Sequence, residues 1–552
     1  MSIATHEVFN QSTPWSNINL FDGNLALKDA LAFHLPGHDA PRLAALGQEA
    51  GSAEMQMHAR LANTHKPALH SHDRLGRRVD QVEFHPSYHA LLGTALRYGL
   101  HGTPWRRAAG AHIERAAAFM LFTELEPSVL CPVSMTYAVA PALRANPGLH
   151  AAWSEGLAAT QYDVRFAPAS LKTALTMGMG MTEKQGGSDV RANTTRAAHD
   201  GQDAWGRRFT LTGHKWFLSA PMCDAFLVLA KTEVGDAGLS CFFVPRWRHD
   251  GSINPIRIQR LKDKLGNQAN ASSEVEFAGD TRAWLVGDEG RGVPQILAMG
   301  ALTRLDCALG TAGLMRQALT LAIHHCRERM AFGKRLAEQP LMKNVLADLA
   351  LESEAATALA LRLARSVDAS EHGDDAQEAV IRRVLTPIAK FWICKRGAGF
   401  AQEAMECLGG NGYVEEGGEG VMARIYREMP VNSIWEGAGN IMALDLLRAL
   451  RGADVAAALA QELAPARGEH AAFDRLAATL PDRIDGSTDE AQARALARDI
   501  ALLVQAALLR CHATDAVFTS FCASRLDRAA DVFGLLPAGT PFDALLARAL
   551  PK

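Results

Sequence analysis

No C-x-x-C pair occurs among the nine cysteines (Cys131, Cys223, Cys241, Cys307, Cys326, Cys394, Cys407, Cys511, Cys522), and their total is odd. Most sit among apolar residues, where a buried free thiol is the ordinary state, so the expected setting is a reduced cytoplasm. The N-terminal "MSIATHEVFNQSTPW" lacks the apolar core of a signal peptide, and no apolar run approaches the ~18 residues of a membrane span. The 20 histidines are scattered, without H-E-x-x-H or a Cys/His cluster, so no metal site is expected. An excess of charge of either sign is also missing. Lys and Arg total 57 against 60 Asp and Glu, a formal net charge of -3, which exerts no global pull on nucleic acid or an acidic membrane. Aromatic residues are 7% of the chain, and no internal repeat is visible.

What is present is a long chain with a large apolar fraction. Its 552 residues, 48% apolar and 21% charged, suit a soluble protein of about three or four domains. Residues 1–180 read as an N-terminal helical domain with a short irregular extension, because "GAHIERAAAFMLFTEL" and "AAWSEGLAATQY" place apolar residues at helical spacing. Across 181–290 the runs "RFTLTGHKWFL", "AFLVLAKT", "LSCFFVPRW" and "SSEVEFAG" are short, β-branched and aromatic, and predict a β domain. Long helical patterns return over 291–450 and suggest a four-helix bundle. An Ala/Leu/Arg-rich segment, 451–552, reads as an appended helical domain.

Four stretches carry candidate chemistry. In "MGMGMTEKQGGSDVRANTTRA" (177–197), Gly186 and Gly187 permit close backbone approach, and Thr182, Ser188, Thr194 and Thr195 supply hydroxyls. That suits a loop lying on a flat polar ligand or an anion, although a hairpin turn would look similar. Neither a P-loop nor a G-x-G-x-x-G fingerprint is present in it. In "RERMAFGKRLAEQ" (327–339), Arg329 can grip a pyrophosphate, Phe332-Gly333 makes an apolar turn, and Gln339 opens the next helix. In "AMECLGGNGYVEE", Gly409, Gly410 and Gly412 end a helix and allow close approach, as a simple C-cap would also do. In "YREMPVNSIWEGAGNIM", Glu436 lies between Trp435 and Gly437, and a carboxylate against an indole is expected to have a raised pKa, as a general base requires.

Together these stretches resemble the acyl-CoA dehydrogenase superfamily, and more closely its AidB-type adaptive-response branch. "THEVFNQ", "GRRVDQVEFHP", "SVLCPVSMT", "RLKDKLGNQANASSEVEF" and "YREMPVNSIWEGAGNIM" all look like that branch. The resemblance runs from about residue 5 to 450. It implies a multidomain α+β fold: N-terminal helical domain, central β domain, C-terminal four-helix bundle, and an appended helical domain. It also implies FAD as cofactor. The matching cofactor positions are Met179, Gly180, Met181, Thr182, Gly187 and Ser188 in the first loop. Phe217, Leu218 and Ser219 follow in "GHKWFLS", with Phe217 where the family usually has Trp and Ser219 where it usually has Thr. Arg329, Phe332, Gln339, Gly409 and Gly410 are further cofactor positions, of which Arg329 and Gln339 match residues that reach the FAD of a neighbouring subunit. Ile434, Trp435, Gly437, Ala438, Gly439 and Asn440 are the remaining cofactor positions, on either side of the catalytic position, Glu436. The Phe332–Gln339 turn is one residue shorter than usual, and Glu406 replaces the usual Gln.

What the resemblance implies for function is a homotetrameric flavoprotein protecting DNA against alkylation, with double-stranded DNA bound through the appended domain and weak or repurposed dehydrogenase activity. The alternative is an ordinary acyl-CoA dehydrogenase acting on a short or branched acyl-CoA. Some members carry the base one position before the family Arg, here Arg304. That position is Thr303, which cannot serve, so Glu436 is the candidate base. Residues 453–552 hold ten basic side chains against thirteen acidic. DNA binding there would require Arg494, Arg498, Arg510, Arg525 and Arg528 to gather on one face.

Overall fold

The computed structural model describes residues 5–232, 238–373, 375–418, 420–452, 454–486, 489–527 and 531–551. Its contacts divide into two compact units, one of residues 57–306 with 436–438, the other of 1–56, 307–435 and 439–552.

The chain opens with α1 (Leu25–His34), α2 (Pro41–Ala50) and α3 (Ala53–Thr64). A hairpin follows, β1 (Ala68–His72) with β2 (Arg78–Glu83), then α4 (Pro86–Arg97), α5 (Ala111–Leu125), α6 (Leu130–Leu143) and α7 (Pro147–Ala158). The hairpin lies inside the stretch read as helical. Its first strand, "ALHSH", shows no clean apolar alternation, so nothing in the local pattern announces it. Helix α5 is buried along its whole length, which is why it lacks a polar stripe.

The sheet starts at Met177, four residues before the boundary read from composition. It comprises β3 (Met177–Gly180), β4 (Arg196–Asp203), β5 (Gly206–Ser219), β6 (Ala225–Thr232), β7 (Leu239–Pro245), β8 (Arg257–Leu261) and β9 (Ser272–Val286). The order is β3-β6-β4-β5-β9-β7, with β8 on β9 and a further β6–β7 pairing that closes a ring. Strand β7 is buried at every residue and β6 at all but one, so their apolar runs are continuous rather than alternating. The pairing of β5 with β9 shifts register between Lys215 and Leu218, just where the candidate flavin segment begins.

Helix α8 (Gly292–Glu328) leads to a tiny hairpin, β10 (Met330–Ala331) and β11 (Lys334–Arg335). Then come α9 (Pro340–His372), α10 (Ala376–Glu406), α11 (Gly410–Tyr413), α12 (Val421–Asn432) and α13 (Gly439–Leu450). The C-terminal stretch forms α14 (Val455–Leu463), α15 (Ala471–Ala478), α16 (Leu480–Asp485), α17 (Ala493–His512), α18 (Asp515–Arg525) and α19 (Phe542–Ala549). These last helices pack within the bundle unit. α17 lies against α9, α10 and α13, and α19 lies against α9.

Charge explains that packing as much as apolar area does. Helix α9 buries Asp348, Glu352, Glu354 and Arg362. Arg525 of α18 meets Asp348 and Glu352, Arg548 of α19 meets Glu354, and Glu462 of α14 meets Arg362. A buried charge without a partner costs several kcal/mol, so α9 and the C-terminal helices complete one another. All nine cysteines are free. Among the described residues no helix is long and apolar enough to cross a membrane.

Candidate active site

Strand β3 ends at Gly180 and delivers Met181 and Thr182 into a tight turn bridged between Glu183 and Gly186. Gly186 has φ +142°, and a Cβ on Gly187 would lie 2.4 Å from Thr182 Oγ1. Gly187 is therefore required by the close approach of the turn to its own threonine, and Gly186 by its positive φ.

The threonines beyond the turn do something other than expected. Thr194 and Thr195 do not line a ligand surface. Glu183 Oε2 accepts from the Thr194 backbone N–H at 2.6 Å, and Oε1 accepts from the Thr195 hydroxyl at 2.6 Å. The Lys215 ammonium donates to the same carboxylate at 2.8 Å, with both side chains fully buried. Burial alone would raise the Glu183 carboxyl; Lys215 and the threonine donors overcome it and hold the group at about 2. Burial pushes the Lys215 ammonium down, and Glu183 opposes that shift. Thr182 stands outside this network, and its backbone carbonyl accepts from Trp216 N–H at 2.8 Å. The Glu183–Lys215 pair thus fastens the loop of Thr182 and Ser188 to the strand of Phe217, Leu218 and Ser219. Leu218 is buried, whereas Phe217 is 45% exposed, with the Lys262 ammonium 4.6 Å from its ring centroid.

Glu436 sits in the link between α12 and α13 with φ +57°, followed by Gly437 at φ +103°. Left-handed backbone is uncommon for a glutamate and persists where neighbours hold it. Two such neighbours come from α8. The Thr303 hydroxyl donates to Glu436 Oε2 at 2.7 Å, and Arg304 Nε donates to the Glu436 carbonyl at 2.9 Å. Thr303, which cannot itself act as a base, orients the candidate carboxylate.

Cys131 on α6 was not singled out as functional. Ser219, Asn270, Lys264 and Glu436 all lie near enough to bear on its thiol. Burial pushes that thiol up to about 12, so it stays protonated. The motif "SVLCPVSMT" held the signal, but the partners are 88 or more residues away in sequence.

The other unit carries the remaining candidates. Phe332 (φ +52°) and Gly333 (φ +76°) form the two-residue loop of the β10–β11 hairpin, with Phe332 97% exposed. Arg329 sits immediately before β10. Gln339 caps the start of α9 and donates through Nε2 to the Ala331 carbonyl at 3.1 Å. Gly409 (φ +60°) and Gly410 are exposed between α10 and α11, and a Cβ on Gly412 would meet the Met405 carbonyl at 2.3 Å. Ile434 is 63% exposed, and Trp435 Nε1 donates to Asn432 Oδ1 at 3.1 Å. Asn440 is exposed, while Gly439 is buried where a Cβ would meet Lys395 Cε at 2.9 Å; Ala438, also exposed, belongs to the unit of Glu436.

The fold is that of the acyl-CoA dehydrogenases, and the comparisons with known proteins agree. The family models "Acyl-CoA dehydrogenase, middle domain" and "Acyl-CoA dehydrogenase, C-terminal domain" match residues 178–279 and 290–451. The chain belongs to the acyl-CoA dehydrogenase family, whose cofactor is FAD. Within it the chain belongs to the AidB branch: "Adaptive response protein AidB N-terminal domain" matches residues 10–164. It is 46% identical over 529 residues to AidB of Escherichia coli (strain K12), covering 95% of each chain. It is 30% identical to acyl-CoA dehydrogenase family member 11 of Caenorhabditis elegans, over 80% of this chain and 72% of the relative. The crystal structure of that ACDH-11 with C11-CoA superposes with a TM-score of 0.85 at 27% identity, covering 96% of this chain and 95% of that one. The structure titled Bd2924 apo-form gives a TM-score of 0.84 at 32% identity, covering 92% of this chain and 100% of that one.

The residues present fit a flavin. Gly187 leaves no room for a Cβ beside Thr182, Phe217 is 45% exposed with the Lys262 ammonium 4.6 Å from its ring centroid, and Thr182 and Ser219 bring hydroxyls to the same unit.

Proposed function

We propose that the chain α,β-dehydrogenates a CoA thioester, with Glu436 as the base that takes the α-proton. The observation that supports this most directly is the hydrogen bond from Thr303 to Glu436 Oε2, which leaves the carboxylate oriented by α8. When bound, FAD supplies the hydride acceptor, and the protein supplies position and proton transfer. Met179 to Thr182, Gly187, Ser188 and the segment Phe217–Ser219 are the residues that would hold the isoalloxazine. Arg329, Phe332, Gln339, Gly409 and Gly410 would meet the FAD of a second copy in a homotetramer. Ile434, Trp435 and Gly437 to Asn440 shape the loop around the base. The nine free cysteines favour a cytoplasmic setting.

The test is Glu436→Gln, which preserves shape and removes proton-accepting capacity. Flavin reduction by an acyl-CoA panel under anaerobic conditions is expected to fall ~10²-fold or more, with FAD content retained. Unchanged reduction would assign the base elsewhere or exclude this reaction.

A second reading, a role in the adaptive response to alkylation through binding of double-stranded DNA, is supported by the AidB similarity. The arginines of the C-terminal helices give it little electrostatic help. Arg525 is buried against Asp348, Arg498 pairs with Asp499, and Arg510 pairs with Glu469. Arg494 lies over the Phe391 ring at 5.5 Å. Arg528 lies outside the described residues.

A further inference from the structure

The motif "THEVFNQ" has a structural counterpart that neither the base nor the flavin segments absorb. Residues 10–15 run along the C-terminal end of α8 and the β10–β11 turn. Asn10 has φ +55°, and its side chain pairs with both backbone groups of one residue: Nδ2 donates to the Met330 carbonyl at 2.9 Å, and Oδ1 accepts from the Met330 N–H at 2.7 Å. The Asn10 carbonyl accepts from the Arg329 guanidinium. Downstream, Thr13 N–H and its hydroxyl donate to Glu328 at 2.6 and 2.9 Å, and His324 Nε2 donates to the Thr13 carbonyl at 2.8 Å. Asn411 Nδ2, beside Gly409-Gly410, donates to Gln11 Oε1 at 3.1 Å.

The turn needs such support. A two-stranded ribbon of two residue pairs is marginal on its own, and Phe332 occupies left-handed backbone that a bulky side chain disfavours. Asn10 acts as a third strand one residue long. Only a side-chain amide of this reach offers a donor and an acceptor to the same backbone residue, and asparagine tolerates the positive φ this requires.

We propose that Asn10 is a positioning residue for the cofactor: through Met330 and Arg329 it sets the geometry of the Arg329–Gln339 turn and, through Gln11, that of the Gly409-Gly410 turn. This rests on the reading that these turns contact the FAD of a second copy. The experiment compares Asn10→Ala and Arg329→Ala with the unaltered protein, measuring the Kd of the apoprotein for FAD by fluorescence quenching and the thermal midpoint of the apoprotein. Losing both amide hydrogen bonds is expected to weaken FAD binding by about 10-fold, with the apoprotein midpoint unchanged. Should Asn10→Ala be insoluble, Thr13→Val, which loosens the same strap at Glu328, is measured instead with the same expectation at smaller size. Arg329→Ala weakened with Asn10→Ala unaffected would overturn the positioning role alone. Arg329→Ala binding FAD normally would overturn both this role and the cross-subunit reading. A fall in apoprotein stability matching the loss of affinity would make Asn10 merely structural.

Discussion

At the scale of single residues, the buried Glu183–Lys215 pair ties the loop of Thr182 and Ser188 to the strand of Phe217, Leu218 and Ser219. Neither residue touches solvent, and each would be an uncompensated charge without the other. Lys215→Met is expected to destabilise the protein by about 3–5 kcal/mol, because Glu183 is then buried unpaired. The double change Lys215→Met with Glu183→Leu should recover part of that loss, since an apolar pair of similar volume replaces two charges. Equal thermal midpoints for the single and double variants would contradict this account. Thr303 illustrates the same point at Glu436: a hydroxyl unfit to be a base still controls where that carboxylate points.

Among the elements, α1 and α17 meet through two histidines. The rings of His34 and His512 are 6.3 Å apart, with Phe33 5.5 Å from His512. Burial first, then Arg362, His512 and Arg365, holds the His34 imidazole down at about 3. Burial and Arg548, against the opposing Asp29, hold His512 at about 4. Both are neutral in the folded protein near pH 7, while an unfolded histidine titrates near about 6.5. As pH falls below that value the unfolded chain takes up these protons first. Stability present above pH ~6.5 is therefore lost progressively toward pH ~4, at a rate on the order of 1 kcal/mol per pH unit for each histidine. Urea midpoints between pH 7 and 4.5 are expected to fall more steeply in the natural sequence than in the His34→Leu, His512→Leu double variant. Parallel slopes would show that other groups govern acid lability.

For the whole molecule, the decisive fact is how the arginines of the C-terminal helices are spent. Arg475, Arg483, Arg498, Arg510, Arg525 and Arg548 each face a carboxylate. Duplex DNA binding through this region should accordingly be weak and shallow in its salt dependence. Log affinity falls with log salt by about 0.9 per phosphate neutralised, so a measured slope corresponding to only a few phosphates is expected in filter binding. Charge reversal of Arg494, Arg498 and Arg510 should lower retention without altering the flavin spectrum. No retention of duplex DNA even at low salt would remove the DNA-guarding reading and leave the thioester dehydrogenase standing.

The sequence by itself determined the helical character of α5 and α8, the buried strands β6 and β7, and the family, because apolar spacing, β-branched runs and contiguous motifs are all local. It also singled out Thr182, Gly187 and Glu436, which stand inside such motifs. It misassigned Thr194 and Thr195, whose hydroxyls serve Glu183. It was silent on Lys215, Thr303, Cys131 and Asn10 as parts of the site. Those roles belong to pairs separated by 11 to 320 residues. Only the tertiary structure decided them, because a buried charge or an unpaired backbone group takes whatever partner the fold brings within about 3 Å, and that partner leaves no mark in the spacing of the chain.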